Sequence, residues 1–264
     1  MKFFLHELKL NFKSLMIWTV SIALLIVVAV TKFSAFIGNE ASLAIMDSMP
    51  TQLLDAMQMR SFNLTTLEGF FGVMFIYFAI MGAMAAAMWG SEAISREERD
   101  RSAEFSLVLP VSRSRVVTTK LLAALVNCVL FVIFTWLISI YAVQVYKPAA
   151  GFYQFLRLEM LAMYLLELIF LAIGVFLACA LKNHKFAGSM AIGIILSAYF
   201  ISIITNISPK LSWLKAINPF NWYDALEIFN TGALKPLSLV LTAIVVVGCL
   251  LAAYFTYEKR DLVI

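Results

Sequence analysis

The sequence predicts an all-α membrane protein with six membrane-spanning helices, and three of its features support that prediction. Apolar residues make up 62% of the 264 residues and charged residues 14%, against about 45–50% and about 25% in soluble domains. The mean hydropathy is +0.91. Apolar residues gather in six runs of about 20, the length of a helix that crosses a bilayer. This composition excludes a soluble enzyme, a disordered chain and a nucleic-acid-binding protein.

The six apolar runs predict one membrane domain, residues 1–264, and its orientation. The predicted spans are residues 15–36, 68–89, 119–145, 158–181, 186–207 and 237–257. Because their number is even, both termini lie on the same side of the membrane. Lys and Arg number 13 on that side and 7 on the other. The positive-inside rule therefore predicts that both termini are cytoplasmic.

Two segments outside the spans are predicted to lie at the membrane surface. Residues 1–14 are predicted to form an interfacial amphipathic helix that contacts membrane lipids. Its apolar stripe comprises Phe4, Leu5, Leu8 and Phe12, and its polar stripe comprises Lys2, His6, Lys9 and Lys13. In the loop 208–236, Asn221 and Asp224 indicate a helix start and Gly232 a helix stop. We predict a pair of short interfacial helices there, which cap the bundle from outside.

The three cysteines are predicted to be unpaired. Each of Cys128, Cys179 and Cys249 lies within an apolar run, which predicts free thiols and neither a disulfide nor a metal site.

The cytoplasmic loop 90–118 holds ten charged residues of both signs between Glu92 and Arg115. Apolar residues beside Glu104 predict a short amphipathic helix that docks onto another protein.

The motif in this loop resembles that of the type-2 permease subunits of bacterial ABC exporters. Ser102-Ala103-Glu104-Phe105, Leu107, Pro110-Val111-Ser112-Arg113 and Lys120 follow the family's pattern between its second and third spans. Arg101 stands where the family usually has Gly, and Ser106 where it usually has Leu. Asn218-Pro219-Phe220 and the C-terminal Lys259-Arg260-Asp261-Leu262 are also similar to the family.

The resemblance implies an ATP-driven exporter in the bacterial inner membrane. Two permeases pair, as two copies or with a paralogous permease, and two ABC ATPase subunits dock onto them through this coupling helix. The residues that match it are Ser102, Ala103, Glu104, Phe105, Leu107, Pro110, Ser112 and Arg113, with Glu104 and Arg113 in charged contacts. The chain has no G-x-x-x-x-G-K-[ST] phosphate loop, so we expect no enzyme activity and no bound cofactor. ATP and Mg²⁺ would bind the partner.

One acidic residue inside a span leaves two functions open. Glu167 is nine residues into the fourth predicted span, about 13 Å deep, where ionisable groups are costly and often functional. It either packs as a protonated acid bonded to Asn127 or a serine, or contributes to the cargo path. A proton-coupled secondary transporter that uses Glu167 is the alternative function, although the charged loop would then have no role. Short outer loops favour amphiphilic cargo: an antimicrobial peptide, a drug or a lipid.

Overall fold

The protein is helical throughout the part that the computed structural model describes, which is residues 2–35, 37, 50, 51, 54, 62–99, 113–181 and 186–259. Six helices are long and apolar enough to cross a membrane, as predicted. They are α1 (Lys2–Phe33), α2 (Leu67–Arg99), α3 (Arg113–Val143), α4 (Ala150–Ala180), α5 (Ala187–Ile207) and α8 (Pro236–Lys259). The coupling residues Ser102 to Ser112 lie outside the described residues, and Arg113 begins α3.

The interfacial helix predicted at residues 1–14 is not a separate element. Residues 2–33 form one unbroken helix, about 48 Å long, because neither Gly nor Pro interrupts them. The exposed side of its first turns carries Leu5 and Phe12, whereas Glu7 and Asn11 are buried. The predicted apolar stripe therefore faces outward, and an unpredicted polar pair faces the bundle.

The parallel helices α2 and α4 form the centre of the bundle. About two-thirds of each span is buried (67%), against 17–33% for the other four. Glycines allow the two backbones to touch: a Cβ atom on Gly174 would lie 2.4 Å from the carbonyl oxygen of Ala87, and one on Gly90 would lie 2.5 Å from that of Leu171. Helix α1 packs mainly on α3, α8 packs mainly on α4, and α5 packs on both α2 and α4.

The ends of the helices define two ends of the bundle. At the end that we call the terminal end, Ser114 at the start of α3 donates a hydrogen bond to Glu258 near the end of α8 (3.1 Å). The starts of α1 and α3 and the ends of α2 and α8 lie there. We call the opposite end, where α5 ends and α8 begins, the far end.

At the far end, residues 208–235 turn back along the bundle, and we call them the fold-back segment. They comprise a 3₁₀ helix (Pro209–Ala216), α6 (Pro219–Trp222) and α7 (Ala225–Thr231). The side chain of Asn218 donates a hydrogen bond to the carbonyl oxygen of Ala198 (2.7 Å). Ala198 lies nine residues before the end of α5, so the chain returns by about 14 Å. Three short elements, rather than the predicted pair, thus make up the segment: the 3₁₀ helix and α6 pack beside α5, and α7 packs on α2 and α4.

The ends of α7 follow the predicted signals. The Asp224 carboxylate accepts hydrogen bonds from the backbone N–H groups of Leu226 and Glu227, which caps the helix. Gly232 ends it with a φ of 63°, which glycine adopts without strain. Asn221 lies within α6 and starts no helix. The Tyr223 hydroxyl, 2.6 Å from the Thr242 hydroxyl, ties the segment to α8, and burial raises the pKa of this phenol.

Candidate functional site

Five polar side chains of α1, α2 and α3 meet at the terminal end, and we call them the charge cluster. They are Glu7 and Asn11 of α1, Glu92 and Arg96 of α2, and Lys120 of α3. The Arg96 guanidinium donates a hydrogen bond to Asn11 Oδ1 (2.7 Å) and lies 3.6 Å from Glu92 Oε2 and 3.9 Å from Glu7 Oε2. The Lys120 ammonium lies 4.0 Å from Glu7 Oε1.

Burial requires these charges to be paired. Lys120 is 2% exposed and Glu7 is 4% exposed, and an unpaired ion at such a depth would be costly. Two acidic and two basic side chains make the cluster formally neutral. Lys120 also donates a hydrogen bond to the carbonyl oxygen of Ala93 (2.7 Å). The charge cluster thus fastens α3 to the last turns of α2.

The local sequence places each member of the cluster on the inner face of its helix. Glu7 and Asn11 are four residues apart on α1, and Glu92 and Arg96 are four apart on α2, so each pair shares one helix face. Sequence analysis missed Glu7, Asn11 and Arg96 as site residues. It assigned Lys120 to the family motif alone. The sequence shows an acid and an amide four residues apart in a lysine-rich segment, a spacing that does not by itself indicate burial.

The charge cluster lies at the end of α2 and the start of α3, the two helices that precede and follow the predicted coupling segment in the sequence. Arg96 lies three residues before the end of α2, and Lys120 lies seven residues after the start of α3. These two helices flank residues 100–112. The cluster also has spare donors, because neither Asn11 Nδ2 nor Arg96 Nη1 has a hydrogen-bond acceptor among the described residues. Such a site can hold three helices in register and can exchange partners when they move.

A second polar site lies in the middle of the bundle, where Glu167 of α4 is completely buried. A Cβ atom on Gly82 of α2 would lie 2.7 Å from Glu167 Oε1, so the carboxyl group packs directly on the α2 backbone. The thiol of Cys128 is its polar neighbour. The hydrogen bond to Asn127 that we considered is not formed: neither carboxyl oxygen of Glu167, nor Asn127 Nδ2, has a partner among the described residues.

Glu159 of α4 is also buried. The predicted start of the fourth span at residue 158 places Glu159 near the outer boundary of the membrane and predicts easy access to solvent, and this prediction is wrong, because Glu159 is completely buried. Helix α4 begins at Ala150 rather than at residue 158, which moves Glu159 nine residues, or about 14 Å, into the helix. Glu159, Met163 and Glu167 follow at intervals of four and share one face. Neither site resembles a metal centre or a nucleophilic active site.

Among the described residues, no group of three His, Cys, Asp or Glu could hold a metal ion. Cys128 and Cys179 are buried free thiols, and Cys249 is a partly buried free thiol.

Comparison with known protein families identifies the class. The family described as ABC-2 family transporter protein matches residues 1–262. The chain belongs to this family. Its members are membrane permeases of ABC transporters, which associate with an ABC ATPase subunit. Membership confirms the resemblance seen in the loop motif and makes the chain a multi-pass membrane protein. No curated protein matches the sequence.

Proposed function

We propose that this ABC-2 permease is the membrane subunit of an ATP-driven exporter in the bacterial inner membrane. Two permease subunits, identical or paralogous, form the translocation path, and each docks one ATPase subunit through residues 102–113. Glu104 and Arg113 make the charged contacts with the ATPase. The observation that carries the proposal is the charge cluster, because it joins the two helices from which residues 100–112 emerge.

The charge cluster suits the transmission of force from an ATPase to the spans. A load applied to residues 100–112 acts on the end of α2 and on the start of α3 together. Separating the two helices would break the hydrogen bond from the buried Lys120 ammonium to the Ala93 carbonyl oxygen, at a cost of about 1.5–3 kcal/mol, and Glu7 would keep only one of its two basic neighbours. The helices therefore move as a pair, and α1 follows through Asn11 and Glu7.

The cargo that fits this fold best is amphiphilic: an antimicrobial peptide, a drug or a lipid. Four of the six spans are less than half buried, so wide apolar faces are open to molecules that enter from the bilayer. The fold-back segment adds a partly polar surface at the far end, beside these faces.

The docking proposal is tested with the double variant Glu104→Ala, Arg113→Ala. The affinity-tagged chain is purified from its native cell, and the ATP hydrolysis that co-purifies with it is measured. We expect the double variant to insert normally and to lose this hydrolysis. The double variant Glu68→Ala, Lys32→Ala at the far end is the matched control and retains it. Full hydrolysis with the Glu104→Ala, Arg113→Ala chain would place the docking surface elsewhere.

A proton-coupled transporter is the competing function, and one observation favours it: Glu159 is a buried acid with no hydrogen-bond partner among the described residues, and the buried Glu167 has the Cys128 thiol as its polar neighbour. The two functions differ in energy source. Export that stops when ATP is depleted, with the proton gradient intact, supports the ATP-driven exporter. Export that stops only with a protonophore supports the proton-coupled transporter.

A further inference from the structure

An apolar groove of about 650 Å³ runs along α5, bounded by α4, α8 and the fold-back segment. Small residues of α5, Gly193, Ser197 and Ala198, form its floor, and Phe170 and Trp222 stand at its sides. A Cβ atom on Gly193 would meet no atom within 4 Å, so the floor is open space. The volume is typical of sites that hold one small molecule, about 300–1,000 Å³.

The length of the groove matches one leaflet of a bilayer. Along α5 its lining runs from Met190 to Ile201, which is about 17 Å at about 1.5 Å per residue. Half of a hydrocarbon core of about 30 Å is about 15 Å. An extended acyl chain about as long as one leaflet is thick would therefore fill the groove along α5.

A polar pocket of about 550 Å³ adjoins the groove at Trp222, which lines both. It contains Lys215, Asp224, Glu227 and Lys235. Glu227 and Lys235 form an ion pair, and the Asp224 carboxylate caps α7. Lys215 has no carboxylate partner among the described residues. The pocket is formally neutral, and Lys215 is the basic side chain in it that no described carboxylate pairs with.

We propose that the groove binds one acyl chain of a membrane phospholipid, whose phosphate contacts Lys215. The groove supplies an apolar channel as long as one leaflet, and the adjoining pocket supplies a cation at its polar end. Lipid tails and apolar side chains are equally apolar, so the hydrophobic effect does not hold the acyl chain in the groove. Van der Waals packing against the floor at Gly193 holds it there. The proposal rests neither on ATP hydrolysis nor on the identity of the cargo.

The test uses a phosphatidylglycerol that carries a photoreactive diazirine near the end of one acyl chain. The full chain is reconstituted in vesicles of phosphatidylethanolamine and phosphatidylglycerol that contain this probe. After illumination, adducts are mapped by mass spectrometry. We expect adducts concentrated on residues 190–201. Peptides around Leu24 of α1, which is 61% exposed, give the general level of contact with lipid.

Two glycines provide a matched pair of variants. Gly193→Leu fills the groove and should abolish the excess of adducts on residues 190–201. Gly248→Leu places the same side chain in equally open space on α8, outside the groove lining, and should leave them unchanged. Lys215→Gln should lower the adducts on residues 190–201 about fivefold, which is the effect of one lysine near an anionic phosphate on binding. Lys210→Gln, on an exposed residue of the same 3₁₀ helix, should leave them unchanged.

Size-exclusion chromatography verifies that each variant is folded, and Ser197→Leu replaces Gly193→Leu if the latter aggregates. Adducts on residues 190–201 that persist at full level in a folded, groove-filled variant would overturn the proposal. So would wild-type labelling of these residues at or below the level around Leu24, which would indicate uniform lipid contact or a second protein copy over the groove. Full labelling of the Lys215→Gln chain would refute the phosphate contact.

Discussion

Replacing Lys120 with Met should destabilise the bundle by about 3 kcal/mol, and the structure sets this magnitude. The substitution keeps most of the length of the side chain but removes a hydrogen bond from a charged donor to Ala93, worth about 1.5–3 kcal/mol. It also removes a cation 4.0 Å from Glu7, an attraction of about 4 kcal/mol at an effective dielectric constant of about 20. Arg96, 3.9 Å from Glu7, still pairs with the carboxylate, so only part of this attraction is lost.

A double-mutant cycle isolates the ionic part of that loss. Glu7→Gln alone leaves the charge cluster with an excess positive charge, and Lys120→Met alone leaves an excess negative charge. The double variant restores neutrality, so it should cost about 2 kcal/mol less than the sum of the two single variants. Lys9→Met, on an exposed lysine of α1, is the control and should change stability by less than about 0.5 kcal/mol.

The free energy of unfolding is measured by titration of the protein in mixed micelles with sodium dodecyl sulfate, followed by tryptophan fluorescence. Trp89 of α2 donates a hydrogen bond to Ser14 of α1 close to the charge cluster, so its emission reports the separation of these helices. A loss below about 1 kcal/mol for Lys120→Met, or strict additivity in the double variant, would show that the cluster does not hold α1, α2 and α3 together.

Two further predictions concern the centre of the bundle. Gly174→Ala should lower the free energy of unfolding by about 1–3 kcal/mol in the same titration, because the new Cβ atom would lie 2.4 Å from the backbone oxygen of Ala87. The control Gly248→Ala meets open space and should stabilise α8 by about 0.5–1 kcal/mol. Equal effects of the two variants would exclude backbone contact between α2 and α4. If Glu167 only packs on Gly82, Glu167→Gln should leave export and recovery of the assembled protein almost unchanged, and Glu167→Leu should reduce recovery. An export defect in a fully assembled Glu167→Gln variant would instead place Glu167 in the cargo path.

The number of spans could be predicted from the sequence because apolar length alone decides it, but the helix ends could not. Hydropathy marks the part of a helix that lies in hydrocarbon. Helix α2 continues ten residues beyond the predicted end, to Arg99, and α4 begins eight residues earlier than predicted, at Ala150. Glu, Arg and Ala are good helix formers in water as well as in lipid. The predicted accessibility of Glu159 was wrong for this reason.

The charge cluster was beyond sequence analysis for a different reason. On an isolated helix, Glu7 and Asn11 belong to a polar side, and a polar side beside lysines normally indicates contact with water or with headgroups. Only the positions of Arg96 and Lys120, contributed by two other helices, turn that side inward. The loop motif, by contrast, indicated the correct family because it is a local pattern, although residues 100–112 lie outside the described part of the chain.

The packing of α2 connects the charge cluster to the proposed lipid groove. At Ala87 and Gly90 the α2 backbone lies against the α4 backbone at Gly174 and Leu171, and contacts between backbones cannot be relieved by a change of rotamer. A displacement of the end of α2 is therefore transmitted to α4 rather than absorbed between the two helices. Helices α5 and α8 are only 22% and 17% buried, so they offer the least resistance to movement. Because the groove lies between α4, α5 and α8, a load on residues 100–112 would change its width and with it the fit of an acyl chain.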